Sequence, residues 1–442
     1  MKKLGALFVC IAMITGMLTG CAGTNNAASN STESVSGAEE TASNVELNFL
    51  VMPDIERVSD VFKLYEKENP GVKINLEVLP FDQMFEAIDV RLGAKENSVD
   101  ILLVDAPVIA NYAAKDYIAD LTPYISDEAK GRITEASLDY CTINNQIMAL
   151  PLNSSSVMLY YNKDIFDEKG IAYPSESTGE RWTWEKVVEV AKELTYEKDG
   201  KQIYGLSFDQ IGRPYQLLPL AQSLGGHQFV SDDGLTTAGY TNSPEMVKAA
   251  QWYSDTFNTW NISPKIAADD ALGYFTGGQV AMFVTGPWQI GQFQSAGLNW
   301  GFAPHPFFEN GEAVTPTGSW CVGVNKYSKN AEAAAKFVEF LCTNDKACQM
   351  NFDIGGNLPC NKSVLADIGT NPKFENFPDN SMRLAADEAL NTAEGRPQLA
   401  GYTEWQDVME KTYSDIMNGA NAQTALDSAV TEIDKLLQKY SR

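Results

Sequence analysis

The chain has 442 residues, 44% hydrophobic and 21% charged, enough for two well-buried domains of a soluble globular protein. Its 58 acidic residues outnumber 33 basic ones, giving a formal charge of −25. So acidic a surface is a poor partner for nucleic acid or anionic lipid and says little else about the ligand.

Lys2 and Lys3 precede an apolar run from Leu4 to Leu18. That run is shorter than the roughly 20 residues a helix needs to cross a bilayer, so residues 1–20 read as a secretory signal peptide. Leu18-Thr19-Gly20-Cys21 resembles a bacterial lipobox, which implies a diacylglyceryl anchor on Cys21. The alternative is an ordinary cleavage site with an incidental cysteine. Residues 21–44 are rich in Ser, Thr, Asn, Ala and Glu and lack aromatic residues, so they read as a flexible tether.

Glu46 to Val51 is strand-like. A helix should follow, because Val58, Val61, Phe62 and Tyr65 recur at helical spacing up to the break at Asn69-Pro70-Gly71. Val72 to Val78 alternates as a half-exposed strand does, Met84 to Leu92 is helical, and Asp100 to Asp105 is the continuous apolar run of a buried parallel strand. Ser155 to Tyr161 predicts a strand. Thr183 can cap a helix whose apolar face is Val187, Val190, Ala191 and Leu194. Tyr204 to Phe208 and Val280 to Thr285 predict two more strands. Ala334, Phe337, Val338 and Leu341 form one later helical stripe; Leu426, Ala429, Ile433, Leu436 and Leu437 form the last. Alternating strands and helices argue α/β layers with largely parallel sheets. Ligands of such sheets bind beyond the carboxyl ends of strands, which points at the Met52–Arg57 segment and at Asp105.

Several segments together resemble the extracellular solute-binding protein family 1 of ABC importers, the group that includes maltose-binding protein. They are Val99 to Asp105 with Tyr117 to Tyr124, Leu159 to Phe166 with Thr183-Trp184-Glu185, Ala281 to Trp288, and Gly318-Ser319-Trp320 with Ser328-Lys329-Asn330. The resemblance spans about residues 46 to 437. It implies a two-lobe, type II periplasmic-binding-protein-like α/β fold with discontinuous lobes and a multi-strand hinge. The expected lobes are 45–152 plus 319–365, and 153–318 plus 366–442, with crossings near 151–155, 314–320 and 360–380. It implies a sugar or oligosaccharide ligand in the cleft, the permease subunits of an ABC importer as partners, and a monomer held on the extracytoplasmic face of the cell membrane by lipid alone. The same fold binding a glycerol phosphodiester, polyamine, metal complex or peptide stays open.

A sugar presents hydroxyls at its edges and C–H groups on its faces, so its site needs aromatic platforms with polar groups in the ring plane. Asp105 ends a strand at the cleft mouth, Asp54 follows the first strand, and Asn153 sits at a crossing. Their structural alternatives are a helix cap or turn chemistry. Resemblance implies that Trp288, after Gly286-Pro287, stacks on sugar. Gly318 and Trp320 adjoin the second crossing, and the backbone of Gly318 and Ser319 is an alternative lining to the Trp320 ring. Gly212 to Leu220 is similar to a loop whose tyrosine, here Tyr215, stacks on ligand, while Arg213 replaces that loop's glutamate. Arg396, Tyr402 and Trp405 fall in a region that contributes to the cleft in relatives.

No nucleophile elbow, phosphate loop, HExxH or Cys/His metal motif is present, so no catalytic residue, cofactor or metal is assigned. A surface glycosidase or adhesin is the remaining class, told apart by product formation. The only histidines, His227 and His305, read as exposed or structural. Cys141, Cys321, Cys342, Cys348 and Cys360 are an odd set, so a monomer keeps at least one thiol. They read as small buried apolar residues, with a disulfide open to an exported chain.

Overall fold

The computed structural model describes residues 44–441 apart from Arg57, Val58 and Ser319, and gives the backbone only of Asp54 and Asp82. The expected signal peptide, Cys21, and the tether up to residue 43 lie outside the described residues, as do Val58 of the first helical stripe and Ser319.

Fourteen strands are described. They are β1 (Val45–Val51), β2 (Val72–Val78), β3 (Ile101–Asp105), β4 (Thr142–Ile143), β5 (Gln146–Ile147), β6 (Leu150–Pro151) and β7 (Met158–Asn162). Then come β8 (Tyr196–Lys198), β9 (Lys201–Phe208), β10 (Val280–Thr285), β11 (Trp300–Ala303), β12 (Thr315–Pro316), β13 (Trp320–Val324) and β14 (Ala393–Glu394). Ten of them make two five-stranded sheets, ordered β2-β1-β3-β13-β6 and β11-β7-β10-β9-β8. In the first, β1 runs parallel to β2 and β3, and β13 returns antiparallel to β3 and β6. In the second, β9, β10 and β11 run one way, and β7 and β8 run the other. The chain leaves the first sheet after β6 and comes back at β13, so that sheet is discontinuous in sequence, while the second takes the consecutive strands β7 to β11. On the way back β12 pairs with β14, a third, two-stranded strip lying outside both sheets.

Local sequence explains the elements. The five residues of β3 and the six of β10 are all buried, as continuous apolar runs require. The helix Ser59–Glu68 buries Val61, Phe62 and Tyr65. Phe62 and Tyr65 meet Phe337 at ring-centroid distances of 5.7 and 5.0 Å, and Phe337 comes from the later helix Ala331–Thr343. The hydroxyl of Thr183 accepts from the Lys186 amide and starts the helix Trp184–Glu193. That helix lies so close to β9 that a Cβ on Gly205 would fall 2.1 Å from the Ala191 carbonyl oxygen, so only glycine fits.

Two boundaries differ from the sequence expectation. The strand predicted from Ser155 starts at Met158, because the Ser155 hydroxyl instead bonds the Gly318 amide (3.0 Å) and carbonyl (2.9 Å) and draws its segment out of the ladder. In the last helix, Ala422–Leu437, Leu426, Ala429, Ile433 and Leu437 are buried. Leu436 is 36% exposed, since Leu437, four residues after Ile433, completes the stripe and Leu436 falls on its flank. The five described cysteines are buried free thiols. Burial pushes the Cys348 thiol up to about 12, which suits an apolar filler.

Candidate functional site

Both sheets aim the ends of their parallel strands at one cavity of about 210 Å³. Met52 and Ile55 follow β1, Asp105 ends β3, Gln210 and Arg213 follow β9, and Trp288 follows β10. The strand-end rule therefore located one side of the cavity. Arg57, the last residue of the segment it pointed at, lies outside the described residues, as does the Asp54 side chain; the Asp54 backbone belongs to the helical turn Pro53–Glu56.

Four aromatic rings border the cavity, those of Phe81, Tyr215, Trp288 and Trp320. Trp288 sits in a short turn and folds back over Gly286, where a Cβ would lie 1.8 Å from the indole ring. Its Nε1–H donates to Asp209 at 3.0 Å. Asp209 also accepts from Thr285 Oγ1 at 2.8 Å and from Gln289 Nε2 at 3.2 Å. Burial raises the Asp209 pKa, and these three donors only partly offset it. Tyr215 lies 6.3 Å from Trp288, ring to ring, and its hydroxyl meets Ser155 Oγ at 2.7 Å. Trp320 stands opposite Asp105 in the β3–β13 register and packs edge-on to Phe81 at 6.0 Å.

The polar wall is more tightly bound. Arg396 grips Asp105 through two parallel contacts, Nη1 to Oδ2 at 2.7 Å and Nη2 to Oδ1 at 2.6 Å. The Arg396 Cζ lies 5.1 Å from the Tyr215 ring centroid. Gly318 lets the backbone approach both: a Cβ there would sit 3.1 Å from Arg396 Nη2 and 3.2 Å from the Tyr215 ring. Asn153 Oδ1 accepts from the Trp320 amide at 3.2 Å. Arg213 lays its guanidinium over Phe81, with Cζ 4.9 Å from the ring centroid.

Of the expected residues, Asp105, Asn153, Arg213, Tyr215, Trp288, Gly318, Trp320 and Arg396 are brought together on this wall. Tyr402 and Trp405 are not, and that expectation is corrected. Both are fully buried: Tyr402 lies behind Arg396 at 3.3 Å, and Trp405 donates to Thr241 Oγ1 at 3.0 Å. They belong to the helix Tyr402–Met417, whose aromatic face turns into the core; Gln406 and Glu410, one helical turn apart, face the cavity. The sequence reading also missed Phe81, Ser155 and Asn357. The i, i+4 spacing of Gln406 and Glu410 was a usable signal; nothing local marked Ser155. His227 contacts Glu394 at 2.8 Å, and the buried His305 has its pKa lowered to about 3 by desolvation.

Residues 53–347 match the model of the bacterial extracellular solute-binding protein family. The chain belongs to that family. Family members are substrate-binding proteins, and among the described residues no helix is long and apolar enough to cross a membrane. A binding protein of Brucella abortus (strain 2308) is 26% identical over 386 residues, covering 86% of this chain and 89% of the relative. The galactooligosaccharide-binding protein of Bacillus subtilis (strain 168) is 25% identical over 322 residues, covering 70% and 71%. An ABC substrate-binding protein from Listeria monocytogenes, solved in complex with cycloalternan, superposes with a TM-score of 0.78 at 23% identity, covering 89% of this chain and 99% of that one. Likeness of this kind carries the fold: the solute-binding protein has the two-lobe type II architecture, with the cavity between its two sheets.

Proposed function

We propose that this solute-binding protein captures a sugar or oligosaccharide in its interlobe cavity and hands it to the permease of an ABC importer. The observation that carries this reading is the cavity wall itself. Tyr215, Trp288 and Trp320 offer ring faces for sugar C–H groups, while Asp105, Arg396 and Asn153 offer acceptors and donors in between. Relatives named for galactooligosaccharide binding support the same ligand class.

The lobes divide as 45–152 with 319–365, and 153–318 with 366–442. On that division Arg396 and Asp105 come from different lobes, as do Arg213 and Phe81, so closure around a ligand assembles the site. The protein acts as a monomer without catalysis, tethered to the outer membrane face through lipid on Cys21. Metabolic labelling with palmitate checks the anchor: Cys21→Ser should abolish incorporation.

The reading is tested by thermal unfolding of the purified protein against a carbohydrate panel, followed by calorimetry of every hit. A ligand bound only by the native state raises the melting temperature. A panel of mono- to hexasaccharides that leaves the melting temperature unmoved would refute a carbohydrate receptor, and release of shortened products would replace it with a hydrolase.

A further inference from the structure

Six arginines have described side chains. Five stand within 4.0 Å of a carboxylate: Arg91 on Glu77, Arg132 on Glu128, Arg181 on Glu388, Arg383 on Glu375 and Arg396 on Asp105. Arg213 alone among them has no such partner among the described residues, in a chain with 58 acidic residues. It is half-buried and lines the cavity. Its guanidinium lies over the Phe81 ring, and no carboxylate takes up its N–H donors among the described residues. The neighbouring carboxylates are already engaged. Asp105 is taken by both Nη groups of Arg396, and Asp209 by Thr285, Trp288 and Gln289. Glu410 has interactions of its own. Arg213 also stands at the N-cap position of the helix Pro214–Ser223, whose amino end carries partial positive charge.

A neutral sugar closing over Arg213 would draw a cation out of water with hydroxyls and the longer-range attraction of Asp209 to compensate it. An oxyanion supplies both the counter-charge and a two-pronged acceptor. We propose that Arg213 receives an oxyanion of the ligand, so that this site selects an acidic carbohydrate over its neutral counterpart. This rests on the sugar reading above and names the class within it. The oxyanion is the carboxylate of a uronic acid or the phosphate of a sugar phosphate, which share the chemistry that Arg213 recognises.

Calorimetry on the purified protein with matched pairs tests this: galacturonate against galactose, glucuronate against glucose, their di- and trisaccharides, and glucose 6-phosphate against glucose. One acidic member should bind at least about tenfold tighter than its neutral partner, a margin that shrinks as salt rises. Arg213→Gln should remove that margin, weakening the acidic member at least about tenfold more than its neutral partner; Arg213→Lys should keep part of it. Thermal unfolding of both variants checks that they fold. A preference for the uronate identifies a carboxylate, and one for the phosphate identifies a phosphate; either supports the proposal. Equal or tighter binding of the neutral member, or an Arg213→Gln loss shared alike by both members, overturns it while the sugar reading stands. Binding of no carbohydrate of either kind overturns the sugar reading and this inference together.

Discussion

Arg181 and Glu388 form a buried ion pair at 2.8 Å, with side chains 5% and 0% exposed; Arg396 and Asp105 form another at 2.6 Å, with side chains 10% and 12% exposed. The two look alike in chemistry and depth. They differ in where the pair lies. Arg181 also donates to the His305 carbonyl at 2.6 Å, and Glu388 accepts from Thr392 Oγ1 at 2.7 Å and from Thr315 Oγ1. Neither side chain lines the cavity, and the pair ties the helix Asn380–Asn391 to β12. Arg396 instead presents its pair on the cavity wall, above Tyr215. A pair enclosed by protein contributes to the fold; a pair on a cavity wall is available to a ligand.

The largest expected effect tests that contrast. Removing one member of a buried pair strands the other charge and costs about 3–5 kcal/mol. Glu388→Ala should lose that much in denaturant unfolding while the folded fraction binds ligand with unchanged affinity. For Asp105 and Arg396 the comparison predicts the opposite partition. The double variant Asp105→Asn, Arg396→Gln strands no charge, so it should stay within about 1–2 kcal/mol of the parent in stability. Its ligand affinity should nevertheless collapse. Equal affinity loss in the Glu388 variant and the double variant would erase the distinction between the two pairs.

Trp288→Ala comes next, and sharpens the contrast from the apolar side. The ring is only half-buried and rests on Gly286, so its loss should leave the unfolding midpoint nearly in place. Ligand affinity should fall by about 2 kcal/mol or more, as for an aromatic anchor at the centre of a contact surface. Calorimetry beside a melting curve separates the two quantities. A variant that melts early and still binds would make Trp288 a packing residue.

The parts of this fold that were legible in sequence were those set by period and by caps. The continuous run Ile101–Asp105, the capped helix after Thr183 and the stripe Ala334, Phe337, Val338, Leu341 need only local spacing to be read, and the structure places them there. The cavity was legible where strand ends deliver residues: Asp105 and Trp288 follow apolar runs directly. It was not legible where a residue's role depends on a partner far away in sequence. Ser155 leaves its expected strand because Gly318, 163 positions later, offers it an amide and a carbonyl. Tyr402 and Trp405 were expected at the ligand because aromatics suit sugars, yet aromatics also fill cores. Only the rotation of the helix Tyr402–Met417 decides which face, theirs or that of Gln406 and Glu410, meets the cavity.

The smallest expected effect concerns the support beneath Trp288. Asp209 touches the indole, Thr285 and Gln289, and does not itself border the cavity, so it acts through Trp288 as a positioning residue. Its pKa is raised by burial in the folded protein. For a carboxyl group raised on folding, stability is greatest below the ordinary unfolded value of about 3.9, where both states carry the proton. As pH climbs from there through the higher folded pKa, the folded state must ionise a buried group and loses stability; above both values the loss is constant. Asp209→Asn removes that ionisation but keeps an oxygen for the indole N–H. Measured from about pH 3 to pH 7, the melting temperature of the variant relative to the parent should therefore rise with pH, then level off. Affinity should fall less than in Trp288→Ala, because one acceptor still holds the ring. A relative melting temperature that stays flat or falls with pH would mean that Asp209 is fixed by its three donors more than it is penalised by burial.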